Sequence, residues 1–415
     1  MLALIGWAII VLAALNVARL ALYLLGSQLY AGAPQSRKPY NPTVSLVVPA
    51  HNEGVVIERT LAGLLAVTYS PLQIVVVDDG STDDTAERIF RFKSDHDPDG
   101  RIETFTQLNG GKADALNNAI RSRATGELVM CLDGDSVLAP DAVARSVEYF
   151  RDERVVATAS NVNIIPDGTV LGFIQRFEYL VNHYMKRAQT AFNLEYIIGG
   201  IGSMFRRSTL DEVGLYDTNT VTEDIDLTMK IIARKGNKDS RVVFAADSMV
   251  YTEAVPSLKS LIGQRTRWKF GRTQAFFKHW RLFFSTDRKH SLSLSWFALP
   301  MVLFQELAGL LEPVMITALL AIVVIFHSPA TLLQAVALLA VFSSLNILGN
   351  THLSKRERLM FVAASPLMYL GFYLITVVEY VALLKTVVRA PRLRRSVSVE
   401  KVTWVSPERS GVVTA

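Results

Sequence analysis

Leu128-Val129-Met130-Cys131-Leu132-Asp133-Gly134-Asp135 is the stretch on which the fold turns. Its apolar residues read as a buried strand, and the strand ends in two carboxylates with one glycine between them. In open α/β sheets, ligands bind outside the carboxyl ends of the strands. Acids paired there can hold a hard divalent cation. Mg2+ takes one or two protein carboxylates and fills its shell with water and phosphate oxygens. Gly134 lets the turn bend and lets a ligand approach the backbone. A plain acidic turn after a strand is the alternative, so the neighbouring segments decide.

Working outward, strand and helix patterns alternate. Residues 44–48 form a β-rich run that ends at Pro49-Ala50-His51-Asn52-Glu53, followed by helix-like sequence to about residue 65. Residues 72–77 repeat the buried-strand pattern and end at Asp78-Asp79, and Thr82-Asp83-Asp84 then caps a helix. Strands are expected at 102–106, 128–132 and 155–164, with helices at 112–123 and, capped by Asp141, to about residue 152. This rhythm argues a doubly wound, mostly parallel sheet. The Gly-x-Gly-x-x-Gly dinucleotide fingerprint is missing after the first strand, and acids stand at the strand ends instead. A metal-bridged nucleotide is therefore favoured over NAD or FAD. Residues 170–192 form a long amphipathic stretch, either a core face or a surface helix.

The chain has 415 residues, 50% of them hydrophobic and 20% charged, with a mean hydropathy of +0.27. That balance is too apolar for an ordinary soluble enzyme and too charged for spans alone. Residues 1–25 can cross a hydrocarbon core, which takes about 20 residues. A cleaved signal peptide is disfavoured because no basic segment precedes it. Further candidate spans are 296–326, 332–349 and 361–388, so the expected division is 1–36 (membrane helix), 37–285 (cytosolic α/β domain with a C-terminal interfacial helix), 286–390 (about three hydrophobic segments) and 391–415 (basic tail). Arg37 and Lys38 put the chain in the cytoplasm after the first span. Two basic clusters, Lys355/Arg356/Arg358 and residues 389–395, flank one span, so one C-terminal segment must be re-entrant, interfacial or split. Glu306, Glu312 and Glu379 are expensive in lipid and should face protein or water. The net charge of +5 fits positive-inside loops better than nucleic acid, and no nucleic-acid partner is expected. The single cysteine, Cys131, has no internal partner and reads as a buried thiol.

Other polar clusters surround the Asp133 turn. Pro49, Ala50 and Glu53 end a strand where a base or ribose can sit, or form a turn and helix start. Asp78 and Asp79 can accept from a uracil N–H or a ribose hydroxyl. Lys112 follows Gly110-Gly111 at a helix N-terminus, a setting suited to a diphosphate. Gly202 and Ser203 close a glycine-rich run that brings backbone to a ligand or simply makes a tight loop. Thr222-Glu223-Asp224 opens a helix with Thr222 as cap, or supplies Asp224 as a general base. Gln264, Arg267 and Trp268 share one helix face. Arginine suits a diphosphate, and the indole suits a sugar ring. A basic face with Lys259, Arg265, Lys269, Arg272, Phe276, Phe277 and Trp280 can also lie on a membrane.

Asp78-Asp79, Asp133-Gly134-Asp135, Thr222-Glu223-Asp224 and Gln264-x-x-Arg267-Trp268 occur in this order. The set is similar to that of the processive family 2 glycosyltransferases: cellulose, chitin, hyaluronan and poly-N-acetylglucosamine synthases. The likeness covers roughly residues 42–280. The run from Gly199 to Phe205, Gly214-Leu215-Tyr216-Asp217 and Arg267-Trp268-Lys269-Phe270-Gly271 most resemble the poly-β-1,6-N-acetylglucosamine synthases. Cellulose synthases carry a Phe-Phe-Cys-Gly-Ser type run where this chain has Ile201-Gly202-Ser203.

The resemblance implies a GT-A, Rossmann-like catalytic domain between transmembrane helices, in the plasma membrane. It implies a UDP-sugar donor held by Pro49, Ala50, Glu53, Asp78, Asp79, Lys112, Asp133 and Gly134, and Mg2+ or Mn2+ on Asp133 and Asp135. Asp224 would be the base. Gly202, Ser203, Glu223, Gln264, Arg267 and Trp268 would hold the acceptor and diphosphate. Transfer of N-acetylglucosamine to a growing β-linked polysaccharide at the bilayer follows, with an accessory export subunit as a possible partner. A non-processive transferase acting on a polyprenyl phosphate or lipid is the alternative. A non-catalytic membrane scaffold is a remote one.

Overall fold

The computed structural model describes residues 2–34, 38–325, 327, 329–350 and 352–393. The chain runs α1 (Leu2–Gln28), β1 (Val44–Ala50), α2 (Ile57–Leu65), β2 (Leu72–Asp78), α3 (Thr85–His96), β3 (Ile102–Thr106), α4 (Lys112–Ser122) and β4 (Leu128–Cys131). It continues β5 (Val137–Leu138), α5 (Ala142–Tyr149), β6 (Val155–Ile164), α6 (Val170–Ala191), β7 (Ser203–Arg206), α7 (Arg207–Val213), α8 (Glu223–Lys235), β8 (Arg241–Thr252) and α9 (Leu258–Lys278).

The eight strands form one sheet in the order β3-β2-β1-β4-β7-β6-β8-β5. β1 lies between parallel β2 and β4, with Ala50 beside Asp78 and Val47 beside Cys131. That register brings the carboxyl ends of three strands, and the acids that follow two of them, to one edge. β1 is buried along its whole length, as expected of a strand covered on both faces. Val47, Val75, Val129 and Cys131 pack on Ala115, Leu116 and Ala119 of α4, with α8 beyond. Leu46, Val48, Ile74 and Met130 pack oppositely on Leu61, Leu64 and Ile89 of α2 and α3.

The sheet is mostly parallel, as expected, with two strands reversed. β7 runs antiparallel to both β4 and β6, β6 pairs parallel with β8, and β5 runs antiparallel to β8. The reversal comes from β7, which returns toward the parallel half after α6 and the glycine-rich run. Two expected caps also differ. Thr222 and Asp141 precede their helices without making a side-chain cap bond. Asp141 pairs with Arg145 instead, whereas Asp83 does accept from the Thr85 amide.

α1 ends against this domain. Tyr30 Oη donates to the Phe244 carbonyl at 2.7 Å, accepts from the Ala246 amide at 3.1 Å and lies 2.6 Å from Tyr149 Oη. Gly26 lets α1 approach α6, because a Cβ there would sit 2.4 Å from the Phe192 ring.

The C-terminal helices are α10 (Leu299–Ala308), α11 (Glu312–Ile325), α12 (Pro329–Leu348), α13 (Lys355–Ala364) and α14 (Met368–Leu393). The expected 296–326 span is divided: a 3-10 turn over Gly309–Leu311 separates α10 from α11 ahead of Pro313. The expected 361–388 segment is divided as well. Phe361 belongs to α13 and stacks on Phe173 of α6. Ser354 and Glu357 form a capping box that starts α13, so Lys355, Arg356 and Arg358 belong to a short helix packed on α6. Residues 170–192 are thus a core helix: Phe177, Phe361, Met368, Ile375 and Val378 share one cluster. Among the described residues, Ser293–Leu311 and Met368–Arg389 are long and apolar enough to cross a membrane. Residues 394–415, most of the expected basic tail, and Arg37 lie outside the described residues.

Candidate active site

The Asp133 turn is tied down from α2. Thr60 Oγ1 donates to the Gly134 carbonyl at 2.8 Å, and Arg59 donates to the Asp135 carbonyl at 3.1 Å. The same guanidinium reaches Glu253 at 2.8 Å, after β8. Gly134 packs closely on β1: a Cβ there would meet the Pro49 carbonyl at 3.2 Å. Pro49, Ala50, His51, Glu53, Asp79, Asn109, Lys112, Asp133 and Gly134 line a single cleft at the strand ends.

Asp79 builds the next wall. Its two oxygens accept from the Gly110 amide at 2.9 Å, the Gly111 amide at 2.8 Å and Gln107 Nε2 at 2.8 Å. Gly111 then has φ +86°, a left-handed value that glycine adopts without a steric cost. The loop so folded starts α4 and delivers Lys112. Its ammonium lies 2.5 Å from Asp133 Oδ1 and 3.2 Å from Glu223 Oε1. Burial works against that charge, but Asp133, Glu223 and Asp224 outweigh it and hold the lysine pKa above its ordinary value.

Asp224 reaches the same place from the first turn of α8. Burial, then the neighbouring Glu223, push its carboxyl up to about 6, with Lys112 and the Ile225 amide opposing. Gly200 leaves the space in front of it open: a Cβ there would sit 2.8 Å from Lys112 Nζ and 3.4 Å from Asp224 Oδ2. A buried carboxyl that titrates near neutrality is suited to proton transfer.

Asp133 and Glu223 contact the Lys112 ammonium and Asp224 adds its charge nearby, so the cleft mouth is an acidic setting in which the Asp133 carboxylate suits a hard divalent cation. Asp133 faces the cleft. Asp135 is buried beside it, with Oδ1 accepting from Ser136 Oγ at 2.8 Å, and does not line the wall. No three carboxylate, imidazole or thiol groups among the described residues make a ready metal cage. That is ordinary for Mg2+, which relies on a substrate phosphate.

The other expected positions divide. Pro49, Ala50, Glu53, Asp79, Lys112, Asp133 and Gly134 meet in the cleft, and Glu223 and Asp224 join them through Lys112. Asp78 is buried and caps the Ser81 amide, away from the cleft wall. Gly202 serves packing: with φ +68°, its carbonyl accepts from Ser160, and a Cβ would meet Val250 at 2.7 Å. Ser203 is a buried β7 residue paired with Cys131. Gln264, Arg267 and Trp268 lie half-buried on α9, outside the cleft wall. α9 does reach α8: Gln274 accepts from the Val221 amide, and a Cβ on Gly271 would sit 2.2 Å from Thr222 Oγ1. Arg265 and Phe276 are buried, so they do not belong to a membrane-facing surface, while Phe277 and Trp280 are exposed. His51 and Asn109 line the cleft without having been singled out as donor residues. The signal for them was their place beside Ala50 and Gly110, at two strand ends.

The model of the family "Glycosyltransferase like family 2" matches residues 42–271. The poly-beta-1,6-N-acetyl-D-glucosamine synthase of Staphylococcus aureus (strain COL) is 32% identical over 270 residues, 65% of this chain and 62% of that protein. The Staphylococcus epidermidis protein of the same name is 31% identical over 271 residues, 64% of this chain and 61% of its own. The alignment therefore spans less than two thirds of these relatives. Among solved structures, the mannosyltransferase PcManGT from Pyrobaculum calidifontis, in complex with GDP-Man and Mn2+, superposes with a TM-score of 0.60. It is 23% identical, over 92% of this chain and 97% of that one. This likeness is one of fold and extends the GT-A-like architecture beyond the cleft. With the cleft built at the strand ends and a family match over residues 42–271, more than half of its length, the chain belongs to glycosyltransferase family 2.

Proposed function

We propose that this chain transfers a sugar, N-acetylglucosamine by its likeness to the staphylococcal synthases, from a UDP-sugar to a growing β-linked polysaccharide at a membrane. The observation that carries this reading is the meeting of Lys112, Asp133, Glu223 and Asp224 at the edge of a strand-end cleft. The uridine lies along Pro49, Ala50 and Asp79, with Glu53 and Gly134 lining the cleft beside it. The diphosphate draws Lys112 from its acidic partners. Asp133, with Asp135 beside it, is the site that would hold Mg2+ or Mn2+, which would neutralise charge on the leaving diphosphate.

Asp224 takes the proton from the acceptor hydroxyl as that oxygen attacks the anomeric carbon. The C–O bond to UDP breaks on the opposite face, so an α-linked donor gives a β-linked product. General-base help of this kind contributes ~10²–10⁴-fold. Gln264, Arg267 and Trp268 on α9 form the acceptor side. α1, Ser293–Leu311 and Met368–Arg389 seat the enzyme in the plasma membrane, with the catalytic domain on the cytoplasmic side. An export subunit is a further proposed partner.

The test incubates membranes containing the full chain with a panel of radiolabelled UDP-sugars. Mg2+, Mn2+ or EDTA is added, and the product is digested with linkage-specific hydrolases. Polymer from UDP-N-acetylglucosamine, lost in EDTA and regained with either metal, is the expected result. Label found only in a lipid extract would favour a lipid acceptor, and no transfer from any donor would overturn the reading.

A further inference from the structure

Three cations on α9, Arg265, Lys269 and Arg272, follow a helical spacing that puts them on one face. Each meets a carboxylate from another helix. Arg265 reaches Glu178 of α6 at 2.8 Å and Glu379 of α14 at 3.4 Å. Lys269 reaches Glu379 at 2.9 Å and Glu306 of α10 at 3.1 Å. Arg272 pairs with Glu306. Glu306 and Glu379 each sit within a helix long and apolar enough to cross a membrane. A carboxylate exposed to lipid is costly, and here both acids are turned onto α9.

Clusters of this kind add little net stability over an apolar contact of the same volume, but breaking one leaves an uncompensated charge. Their effect is to fix position: sliding α9 along either apolar helix uncovers charge on both sides. The guanidinium at the N-terminal end of the row also touches the proposed acceptor side. Arg265 lies 4.6 Å from the Trp268 ring centroid, stacked as a cation on its face.

We infer that Glu379 is a positioning residue, which acts through Arg265 to hold Trp268 where the acceptor sugar must lie, while Glu306 fixes the same helix through Lys269 and Arg272. The apolar helices then set the place of the acceptor relative to Asp224, while the donor cleft stays independent of them. This inference rests on the transferase reading above.

The experiment uses the full chain in detergent or nanodiscs and compares wild type with Glu379→Gln, Glu379→Asp and Arg265→Lys. Three quantities are read: UDP affinity, polymer elongation from UDP-N-acetylglucosamine, and deuterium exchange of residues 258–278. Glu379→Gln should leave UDP affinity within about twofold, speed exchange in 258–278, and slow elongation by about 10–100-fold, the scale of a small misplacement of reacting groups. Glu379→Asp should recover part of the loss. Arg265→Lys keeps the charge but loses the planar stack, so it should shorten the product even where Glu379→Gln fails to fold.

Unchanged exchange in 258–278 overturns the inference whatever the activity. So does normal elongation with a loosened α9, or a fall in UDP affinity that parallels the fall in elongation. A wild type that makes no polymer defeats the transferase reading instead, and the exchange data still judge whether the acids hold α9.

Discussion

Lys112 Nζ lies 2.5 Å from Asp133 Oδ1. The lysine proposed to meet a diphosphate and the aspartate proposed to meet a metal thus pair with each other, and the pair keeps both charges compensated at the mouth of the cleft.

Replacing Lys112 by Met removes the cation from among Asp133, Glu223 and Asp224. Loss of one partner from a buried pair costs about 3–5 kcal/mol, and the partial exposure of this one places the expected loss at the lower end. Thermal melts without donor should show a lower Tm. Added Mg2+ or Mn2+ should raise it more than in the wild type, because the ion no longer competes with an ammonium. An equal metal shift in both proteins would count against Asp133 as the shared partner.

Asp224 has its carboxyl raised from 3.8 to about 6, so the charged form is the disfavoured one in the fold. Activity that needs the carboxylate is present above about pH 6 and lost as the pH falls through it. The pH profile of kcat/KM, which reports the free enzyme, should show this rise, and Asp224→Asn should abolish transfer while UDP still binds. Loss of UDP binding in that variant would defeat the base assignment. The sign for stability is opposite to that of a paired acid. Between pH 3.8 and about 6 the folded form binds more protons, so wild-type stability falls across this window as the pH rises. Asp224→Asn should escape that fall, and melts of the two proteins should diverge within it.

Gly271 lies against Thr222, two residues before Asp224, and a Cβ there would sit 2.2 Å from Thr222 Oγ1. Gly271→Ala should displace the start of α8 and lower kcat by about 10–100-fold. Adding Thr222→Ala, which removes two of the three crowding atoms, should recover part of it. Full activity in Gly271→Ala alone would show that the α8 start tolerates the shift.

β2 and β4 were legible in the sequence because each is a largely apolar run closed by acids, and β1 and β3 because their β-rich runs alternate with helix-like stretches. β7, four residues long and buried after a glycine-rich loop, offers no alternation from which its direction could be read. β5 has two residues and no pattern at all. The acids of the cleft were legible as chemistry, but their mutual geometry was not. That Asp79 would spend both oxygens on the Gly110 and Gly111 amides depends on a loop conformation no spacing encodes. The acceptor motif was legible as a helix face. Its anchorage was not, because Glu178, Glu306 and Glu379 come from three distant helices.

The join between α1 and the sheet bears on where this chain can be cut. Tyr30 answers the Phe244 carbonyl and the Ala246 amide and touches Tyr149, which in turn donates to Asp247 at 2.7 Å. A fragment trimmed just ahead of Pro42 for ease of handling would leave those groups unanswered beneath β8 and bare the Phe192 ring that Gly26 accommodates. The first apolar helix is therefore no detachable leash: its last turns and the residues after it belong to the transferase, and the workable cut lies upstream of Gly26.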